Sequence, residues 1–580
     1  RCRAVLQKAR SRRVRPGRDD KVLADWNALA VAALCRAGVV FEQPAWLGLA
    51  AELFDFVRTE LATGDGRVGH AWRLGRITAP GMLEDQAAMA RAAIALYEAT
   101  GEAARLEQAL AFVAGADISQ VRGYTLHTAL ASDLQRLYDD VEAFEADLRA
   151  TYATAGMHRW NPWVHLANLD LTVYERTYAP EAERADARRR HVAAWPDAVD
   201  MALESMTETP APVAACLLPG VRGLAVELDP DRDSAALAAH GRLVARVEQL
   251  AAEGRPEVAL GPEVLAELMG AQDAVEVDLA ERTRQGEAER DRLLAMLREA
   301  CAAVDPDAPI RELVPRLLAD HPDSDGVIHE AQQQVDEVLA FSRRHDLVPY
   351  HDGECLVGPS PEALRSAMAW MAAGGPYEDD APAWYWITPP ESSWPAEEQA
   401  EWLQVFSATT LPAITVHEVS PGHFAHARAL RHVGSAVGRT LHTYAFVEGW
   451  AHYAEEMVLE VGFRADDPRY RVGVALEALT RVTRLLSALG IHTGALTVDD
   501  ATAMFERDAF LAGPAARSEA LRATYDPNYG RYTWGKLEIL KLRERARSQW
   551  GEGFSLPRFH AALLSLGSPP VGLLDAALDR

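Results

Sequence analysis

The sequence has few cysteines and no surplus of positive charge. Five cysteines are spread over 580 residues, and no two of them form a CxxC pair. This spacing excludes a thiolate zinc knuckle and a dithiol redox motif, and such sparse usage suits a reducing compartment. The formal net charge of −26 argues against nucleic-acid binding, because that function needs a basic face to neutralise phosphates.

Long apolar runs are also missing. The sequence contains no stretch of 18 or more apolar residues, so it predicts no transmembrane segment. With neither a signal nor a membrane segment in view, the expected compartment is the cytoplasm. The first residue is Arg rather than Met, which leaves a lost upstream signal or domain open.

The composition is that of an ordinary globular protein, with 49 % apolar and 25 % charged residues. Because 580 residues exceed what one hydrophobic core usually supports, we expect at least two domains. Helical periodicity runs through most of the chain. The best strand candidate is the short aromatic stretch AWYWITPP at residues 383–390, which is bounded by prolines.

The first part of the chain contains helix pairs joined by short turns that include Gly. The segments RSRRVRPGRDDKVLADWNALAVAALCRAG (10–38) and GMLEDQAAMARAAIALYEATGE (81–102) resemble the thioredoxin-domain-containing, N-acylglucosamine-2-epimerase-like family of helical toroids. The family's usual aromatic after LED is Gln86 here. Since a complete toroid needs many more helix pairs, residues 1–117 are predicted to be a partial α/α-toroid fragment without an assigned activity.

The motif that carries chemistry is TVHEVSPGHFAH at residues 415–426. In the zinc-peptidase helix HExxH, two His ligands at i and i+4 share one face and the Glu acts as general base. Here His423 follows His417 by six residues, and Pro421 occupies the i+4 position. A proline there must bend or break the helix, and Gly422 can absorb the distortion. We expect this break to bring His423 back to the metal.

A second motif, FVEGWAHYAEE, supplies a candidate third ligand. Glu448 follows His423 by 25 residues, and helical zinc peptidases often take a Glu ligand from a later helix at about that distance. Two imidazoles and one carboxylate leave the fourth position open for water. His452 shares the face of Glu448, and it either supports a ligand through a hydrogen bond or competes as one. Glu455 and Glu456 are interpreted as a solvated helix edge.

Two later motifs offer groups that stabilise negative charge. In LGIHTGALTVDDA, His492 either donates to a tetrahedral oxyanion or is a helix-end histidine bonded to backbone. In YDPNYGRYTWGKLEILKLR, the spacing puts Tyr532, Lys536 and Arg543 within roughly 40° on one helical face. The phenol would hold an oxyanion and the cations a substrate carboxylate, unless this stripe is a solvated basic face. Tyr529 is the nearest rival of Tyr532.

The four motifs HEVSPGHFAHA, FVEGWAHYAEE, LGIHTGALTVDDA and YGRYTWGKLEILKLRERA occur in this order. Together they resemble the bacterial family called domain of unknown function 885, from about residue 121 to the C-terminus. The resemblance implies a helical, zinc metallopeptidase-like domain over residues 118–580. It assigns His417, His423 and Glu448 as metal ligands and Glu418 as the catalytic carboxylate.

Two positions depart from the family pattern. The family's Gln after PGH is His426 here, and the Trp of its GWT segment is Leu496. We expect His426, beside the metal motif, to alter the hydrogen bonding that supports the ligands. Neither departure removes a predicted ligand, so the site is expected to be intact.

The sequence therefore predicts a mainly α fold, in which a large helical metallopeptidase-like domain with a small strand element follows the toroid fragment. We expect a metal-dependent hydrolase with one Zn²⁺ per chain, or another divalent cation. Glu418 is the expected general base, Tyr532 and His492 stabilise the oxyanion, and Lys536 and Arg543 bind the substrate. That substrate is a small peptide or similar amide, with esterase or amidase action on a non-peptide substrate, or a non-catalytic helical scaffold, as alternatives. The oligomeric state is left open.

Overall fold

A computed structural model describes residues 21–579 apart from positions 42, 64–66, 82, 115–138, 140, 176–178, 227, 362–364, 366 and 379–381. The chain divides into two compact units, Arg1–Val141 and Glu142–Arg580. The predicted domain boundary at residues 117/118 lies outside the described residues. Helices dominate both units and each unit contains a small three-stranded sheet, so the prediction of a mainly α fold is confirmed.

The N-terminal unit consists of helix pairs and an antiparallel sheet in the order β1-β2-β3. Its elements are β1 (Val22–Leu23), α1 (Ala24–Val40), α2 (Pro44–Glu60), β2 (Ala71–Arg73), β3 (Arg76–Ala79), α3 (Leu83–Thr100) and α4 (Ala104–Ala114). Helix α1 packs against α2 and α3, and its small side chains Ala24 and Ala28 are buried there beside Phe54 and Leu96. The unit thus has a hydrophobic core of its own, as the periodicity of its helices predicts.

The first half of the C-terminal unit is built from helices that alternate long and short. After a helical stretch over residues 141–149 and the π-helical turn Ala150–Thr154, its α-helices are α5 (Met157–Trp160), α6 (Trp163–Leu166), α7 (Glu181–Ser205), α8 (Ala211–Gly223), α9 (Ser234–Glu253), α10 (Pro262–Ala271), α11 (Leu279–Val304), α12 (Ile310–Leu318) and α13 (Ser324–His345). Short 3₁₀ turns lie at Ala167–Leu169 and Thr172–Glu175.

A small sheet separates the two halves of this unit. Strands β4 (Cys355–Pro359), β5 (Ala369–Ala372) and β6 (Ala383–Ile387) take the order β4-β6-β5, with β4 parallel and β5 antiparallel to β6. The predicted aromatic strand is present as β6. Its Tyr385 is fully buried, whereas Trp384 and Trp386 stack on the other face with ring centroids 4.4 Å apart. This alternation is what a strand with one core face requires.

The second half of the unit contains all four chemical motifs. Its α-helices are α14 (Ala396–Leu403), α15 (Leu411–Glu418), α16 (His423–Leu430), α17 (Ala436–Thr440), α18 (Tyr444–Val461), α19 (Pro468–His492), α20 (Val498–Asp508), α21 (Gly513–Tyr525), α22 (Arg531–Trp550) and α23 (Leu556–Leu564). Short 3₁₀ helices lie at Gln404–Phe406, Gly551–Gly553 and Val571–Ala577. Among the helices of the described residues, none is both long and apolar enough to cross a membrane.

The predicted break in the HExxPGH segment is present. Helix α15 ends at Glu418, the Ser420–Pro421 peptide bond is cis, and α16 begins at His423. Gly422 lies so close to the preceding turn that a Cβ atom on it would overlap the carbonyl oxygen of His417. Only glycine permits this approach, and the tight reversal returns the chain to the last turn of α15.

Helices α18 and α22 cross with their backbones in direct contact. A Cβ on Gly535 would overlap the carbonyl oxygen of Ala445, and one on Gly449 would lie 2.5 Å from the Cα of Gly535. The glycines of the EGW and WGK segments therefore fit because side chains there would force the helices apart. This crossing sets the distance between Glu448 of α18 and Tyr532 of α22.

Candidate metal centre

The break between α15 and α16 brings four predicted residues to one place. The Oε2 atom of Glu448, on α18, lies 3.5 Å from Nε2 of His417 and 3.4 Å from Nε2 of His423. The two imidazole rings are perpendicular, with centroids 4.7 Å apart. One ligand atom each from His417, Glu418 and His423 lies within 4.8 Å of the others. The six-residue His spacing thus converges as the sequence predicts.

The four side chains are mostly buried, and their surroundings shift the pKa values of the two carboxyl groups. His417 and Glu418 are 3 % and 7 % exposed, while His423 and Glu448 retain 15 % and 19 % of their side-chain surface. Burial opposes ionisation of Glu448, but His423 and His417 outweigh it and hold its pKa well below the usual value. Burial raises the pKa of Glu418, and its buried Oε2 has no hydrogen-bond partner among the described residues.

These donors fit a divalent cation. Two imidazole nitrogens and one carboxylate oxygen that face each other form the three-ligand set of open zinc sites. Manganese, cobalt and iron accept the same donors. A buried carboxylate oxygen without a partner is costly, and Oε2 of Glu418 is such an oxygen, in a residue grouped with His417 and His423.

Glu455 holds His417 from the opposite side of the ring. Its Oε1 lies 2.6 Å from Nδ1 of His417, and the side chain is 0 % exposed. Because a carboxylate can only accept, this contact puts a proton on Nδ1 and directs Nε2 toward Glu448. The interpretation of Glu455 as part of a solvated helix edge is therefore wrong. The residue lies two turns after Glu448 on α18, on a face covered by α15 and α19.

Two further groups complete the surroundings of Glu455. Nδ1 of His452 lies 3.2 Å from its Oε2, and the guanidinium of Arg481, on α19, lies 3.3 Å from its Oε1. Burial opposes the charge of Glu455, yet Arg481 and His452 bring its pKa below the usual value. His452 thus contacts Glu455, which in turn contacts His417. The sequence predicts a direct contact between His452 and a metal ligand or the metal itself. Arg481 was not identified from the sequence, because its RVTRLL context reads as an ordinary amphipathic helix.

Tyr532 is the aromatic hydroxyl next to the cluster. Its ring lies between two arginines of α19, with the guanidinium carbons of Arg481 and Arg484 at 6.0 and 5.2 Å from the centroid. Burial raises the pKa of Tyr532, and the nearby Glu448 carboxylate raises it further. The rival Tyr529 is fully buried and donates its hydroxyl to Glu519 at 2.6 Å, so Tyr532 rather than Tyr529 is the candidate phenol near Glu448.

The two predicted substrate cations are bound by carboxylates of the protein itself. Lys536 is 0 % exposed and its Nζ pairs with Glu456 and, at 2.7 Å, with Glu289 of α11. Arg543 lies 3.0 Å from Glu460 and 3.3 Å from the Tyr453 hydroxyl. Both cations are therefore paired within the protein, because the face of α22 that carries them packs against acidic side chains of neighbouring helices. This finding corrects their predicted role, and it equally corrects the interpretation of Glu456 as solvated.

Two predicted histidines contact other parts of the fold. His492 is fully buried with Nε2 2.8 Å from the carbonyl oxygen of Ala523, and burial lowers its pKa to about 4. This is the backbone-bonded alternative rather than an oxyanion donor. Nε2 of His426 lies 3.1 Å from Oγ of Ser568 and 3.3 Å from the carbonyl of Gly567. His426 therefore fastens the C-terminal segment to α16 instead of bonding to a metal ligand.

Comparisons with known proteins identify the family and the fold. The family model described as "Bacterial protein of unknown function (DUF885)" matches residues 62–578, so the match begins upstream of the start near residue 121 that the motifs suggest. No curated protein matches the chain.

Two solved structures have a similar fold, and both are described with the words "putative lipoprotein". One, from Shewanella oneidensis and said to be of unknown function, is 21 % identical with a TM-score of 0.62, over 81 % of this chain and 92 % of that one. The other, from Colwellia psychrerythraea, is 16 % identical with a TM-score of 0.66, over 96 % and 99 %. At these identities the likeness concerns the fold alone.

Proposed function

We propose that this chain, which belongs to the DUF885 family, is a metal-dependent hydrolase that cleaves a peptide or a similar amide. One observation carries the proposal. A single carboxylate oxygen of Glu448 lies within 3.5 Å of the Nε2 atoms of both His417 and His423. Glu418 has a carboxylate oxygen within 4.8 Å of a ring nitrogen of each histidine, and its buried Oε2 has no hydrogen-bond partner among the described residues. This is the arrangement of ligands and general base on which metal-dependent hydrolysis depends.

His417, His423 and Glu448 would hold the cation, with one ion per chain. Zinc suits two imidazoles and one carboxylate best, although other divalent metals accept the same set. When bound, such a cation supplies a Lewis acid that polarises a carbonyl group and lowers the pKa of a coordinated water toward about 7. Glu455 keeps the His417 ring in the orientation that this binding requires.

Glu418 and Tyr532 perform the proton transfer and charge stabilisation. Because burial raises its pKa, Glu418 is suited to take a proton from water and return it to the leaving nitrogen. Tyr532 keeps its proton at neutral pH, since its pKa lies above the ordinary value of 10.0. It donates a hydrogen bond to the oxyanion that develops on the attacked carbonyl.

The first experiment measures metal content by elemental mass spectrometry after zinc reconstitution and desalting. We expect about one zinc per chain in the parent, and loss of zinc in His423→Ala and Glu448→Ala. His426→Gln is the matched control, because that histidine lies on the same helix but bonds to Ser568. Zinc retained by both ligand variants, or absent from the parent, would contradict the ligand set.

The second experiment tests the reaction. Glu418→Gln should retain zinc while hydrolysis of a peptide library falls by about 10²- to 10⁴-fold, the usual contribution of a general base. Hydrolysis of esters but not peptides by the parent would favour the esterase alternative. A parent that binds zinc and hydrolyses neither class, or a Glu418→Gln variant with full activity, would count against this mechanism.

A further inference from the structure

Arginine side chains continue from the metal centre along one wall formed by α19, α21 and the start of α22. Arg484 lies between two tyrosine rings, with its guanidinium carbon 5.2 Å from the centroid of Tyr532 and 4.8 Å from that of Tyr529. Arg522 of α21 lies on the same Tyr529 ring at 4.5 Å. The contacts therefore run from Tyr532 through Arg484 and Tyr529 to Arg522, as one row of alternating rings and guanidinium groups.

Arg531 joins this wall from the first residue of α22. Its guanidinium pairs with Asp526 and lies 5.4 Å from the ring of Tyr444. Burial raises the pKa of Tyr532 and Glu448 adds to this, whereas Arg484, Arg522 and Arg531 all lower it. The same tyrosine thus lies within electrostatic range of both the Glu448 carboxylate and the three arginines.

The positive charges on this wall are unequally neutralised. Arg484 makes a bidentate pair with Glu519 at 2.7 and 2.8 Å. Asp526 is shared, because it pairs closely with Arg531 and lies 3.8 Å from Arg522. Two carboxylates therefore serve three arginines, and the surplus charge lies on Arg522.

Arg522 is also the accessible member of the group. Its side chain is 41 % exposed, against 17 % for both Arg484 and Arg531. At 3.8 Å from Asp526 it is beyond hydrogen-bond range of that carboxylate. Among the residues that the structure describes, no hydrogen bond occupies its guanidinium, whose flat fork is suited to a bidentate carboxylate.

We propose that Arg522 anchors a free carboxylate of the substrate, so that the enzyme acts on amides bearing a terminal carboxylate near the scissile bond, as in the last residue of a peptide. The proposal rests on the proposed hydrolase function. It moves the carboxylate-binding role from Lys536 and Arg543, which internal acids occupy, to a cation that remains available. Tyr532 is within electrostatic range of both Glu448 and Arg522, so the proposed anchor and the proposed metal ligands have this tyrosine as a common neighbour.

The test is a binding measurement that needs no turnover. Isothermal titration of the zinc-loaded Glu418→Gln protein with N-acetyl-Ala-Ala and with its C-terminal amide compares two probes that differ only in the carboxylate. We expect the acid to bind about 10- to 100-fold more tightly, the range for a hydrogen-bonded charged group. Adding Arg522→Gln should abolish this preference. Arg517→Gln is the matched control, because Arg517 lies on the same helix, is exposed and pairs with Asp499.

Equal binding of acid and amide, or a preference that survives Arg522→Gln, would overturn the proposal. So would a preference lost equally in Arg517→Gln, since it would then reflect the net charge of the helix. A preference that depends on Arg522 in a parent protein that cleaves neither peptides nor esters would uphold the anchor and refute the hydrolase function. The two ideas therefore fail in different experiments.

Discussion

Glu455→Gln should weaken metal binding although Glu455 touches no metal. The carboxylate lies 2.6 Å from Nδ1 of His417 and is 0 % exposed. Glutamine keeps the volume and one accepting oxygen, so the His417 ring can keep its orientation. The negative charge that makes Nε2 of His417 a stronger metal ligand is lost. Loss of such a supporting partner typically costs 10- to 100-fold in metal affinity, which corresponds to about 1.4–2.8 kcal/mol.

The structure also indicates that this variant should fold. Arg481 loses the charge of Glu455 but keeps Glu477 at 3.0 Å. A buried cation is therefore not left without an anion, the situation that makes such substitutions severely destabilising. The change in metal affinity can thus be measured on a folded protein.

Glu456→Gln provides the matched control. It makes the same chemical change at the adjacent buried carboxylate, which faces Lys536 and Arg292 instead of His417. Competition titration against a chromophoric zinc chelator should show parent-like affinity for this variant and weakened affinity for Glu455→Gln. Equal affinities in both variants, or equal losses in both, would refute the role assigned to the contact between Glu455 and His417.

Three further predictions concern the framework around the site. Lys536→Met leaves Glu289 and Glu456 with Arg292 as their remaining cation. Urea denaturation should show that the free energy of unfolding falls by about 3 kcal/mol, the low end for a broken buried ion pair. A value equal to that of the parent would contradict the buried ion cluster. Gly535→Ala forces a Cβ onto the carbonyl of Ala445, and such overpacking costs about 1–3 kcal/mol or more. Because 1 kcal/mol shifts the midpoint of a unit as large as Glu142–Arg580 by only about 1 °C, the thermal midpoint should fall by about 1–3 °C or more. An unchanged midpoint would contradict the close helix crossing. Burial raises the pKa of Asp273 to about 7, so the protonated carboxyl contributes fully to stability below pH ~3.9. This contribution, at most about 4 kcal/mol, is lost as the pH rises to about 7. Asp273→Asn should reduce the fall of the urea midpoint over this pH range, and a pH profile identical to that of the parent would contradict the raised pKa.

The convergence of His417, His423 and Glu448 could be predicted from the sequence because the chain reversal between the two histidines is local. The break between His417 and His423 follows from the stereochemistry of Pro421 and Gly422, and both residues lie in the reversal that the structure shows. Glu448 was predicted from its spacing of 25 residues to His423, which is typical of the third ligand in helical zinc peptidases. Helical periodicity likewise predicted a mainly α fold, although strands β4 and β5 that flank β6 carried no comparable signal.

The roles of the charged helix faces could not be predicted in the same way. Periodicity shows that Lys536 and Arg543 share a face of α22, but not what covers that face. The covering groups are Glu289, Glu456 and Glu460, which are 80 or more positions away along the chain. Consecutive glutamates in a helix usually lie in solvent, and here the surrounding helices supply a cation for each of them.

The internal pairing of these charges is what supports the proposed ligand class. Along α18, Glu455 is matched by Arg481 and Glu456 by Lys536, so neither seeks an external partner. Within the part of the chain that the structure describes, the Glu418 carboxylate has a bare Oε2, and the Arg522 guanidinium makes no hydrogen bond to its nearest carboxylate, Asp526. The first calls for a cation or a proton donor and the second for an anion. In the proposed roles, an amide with a free carboxylate would offer an N–H to Glu418 and an anion to Arg522, whereas a neutral ester would offer neither.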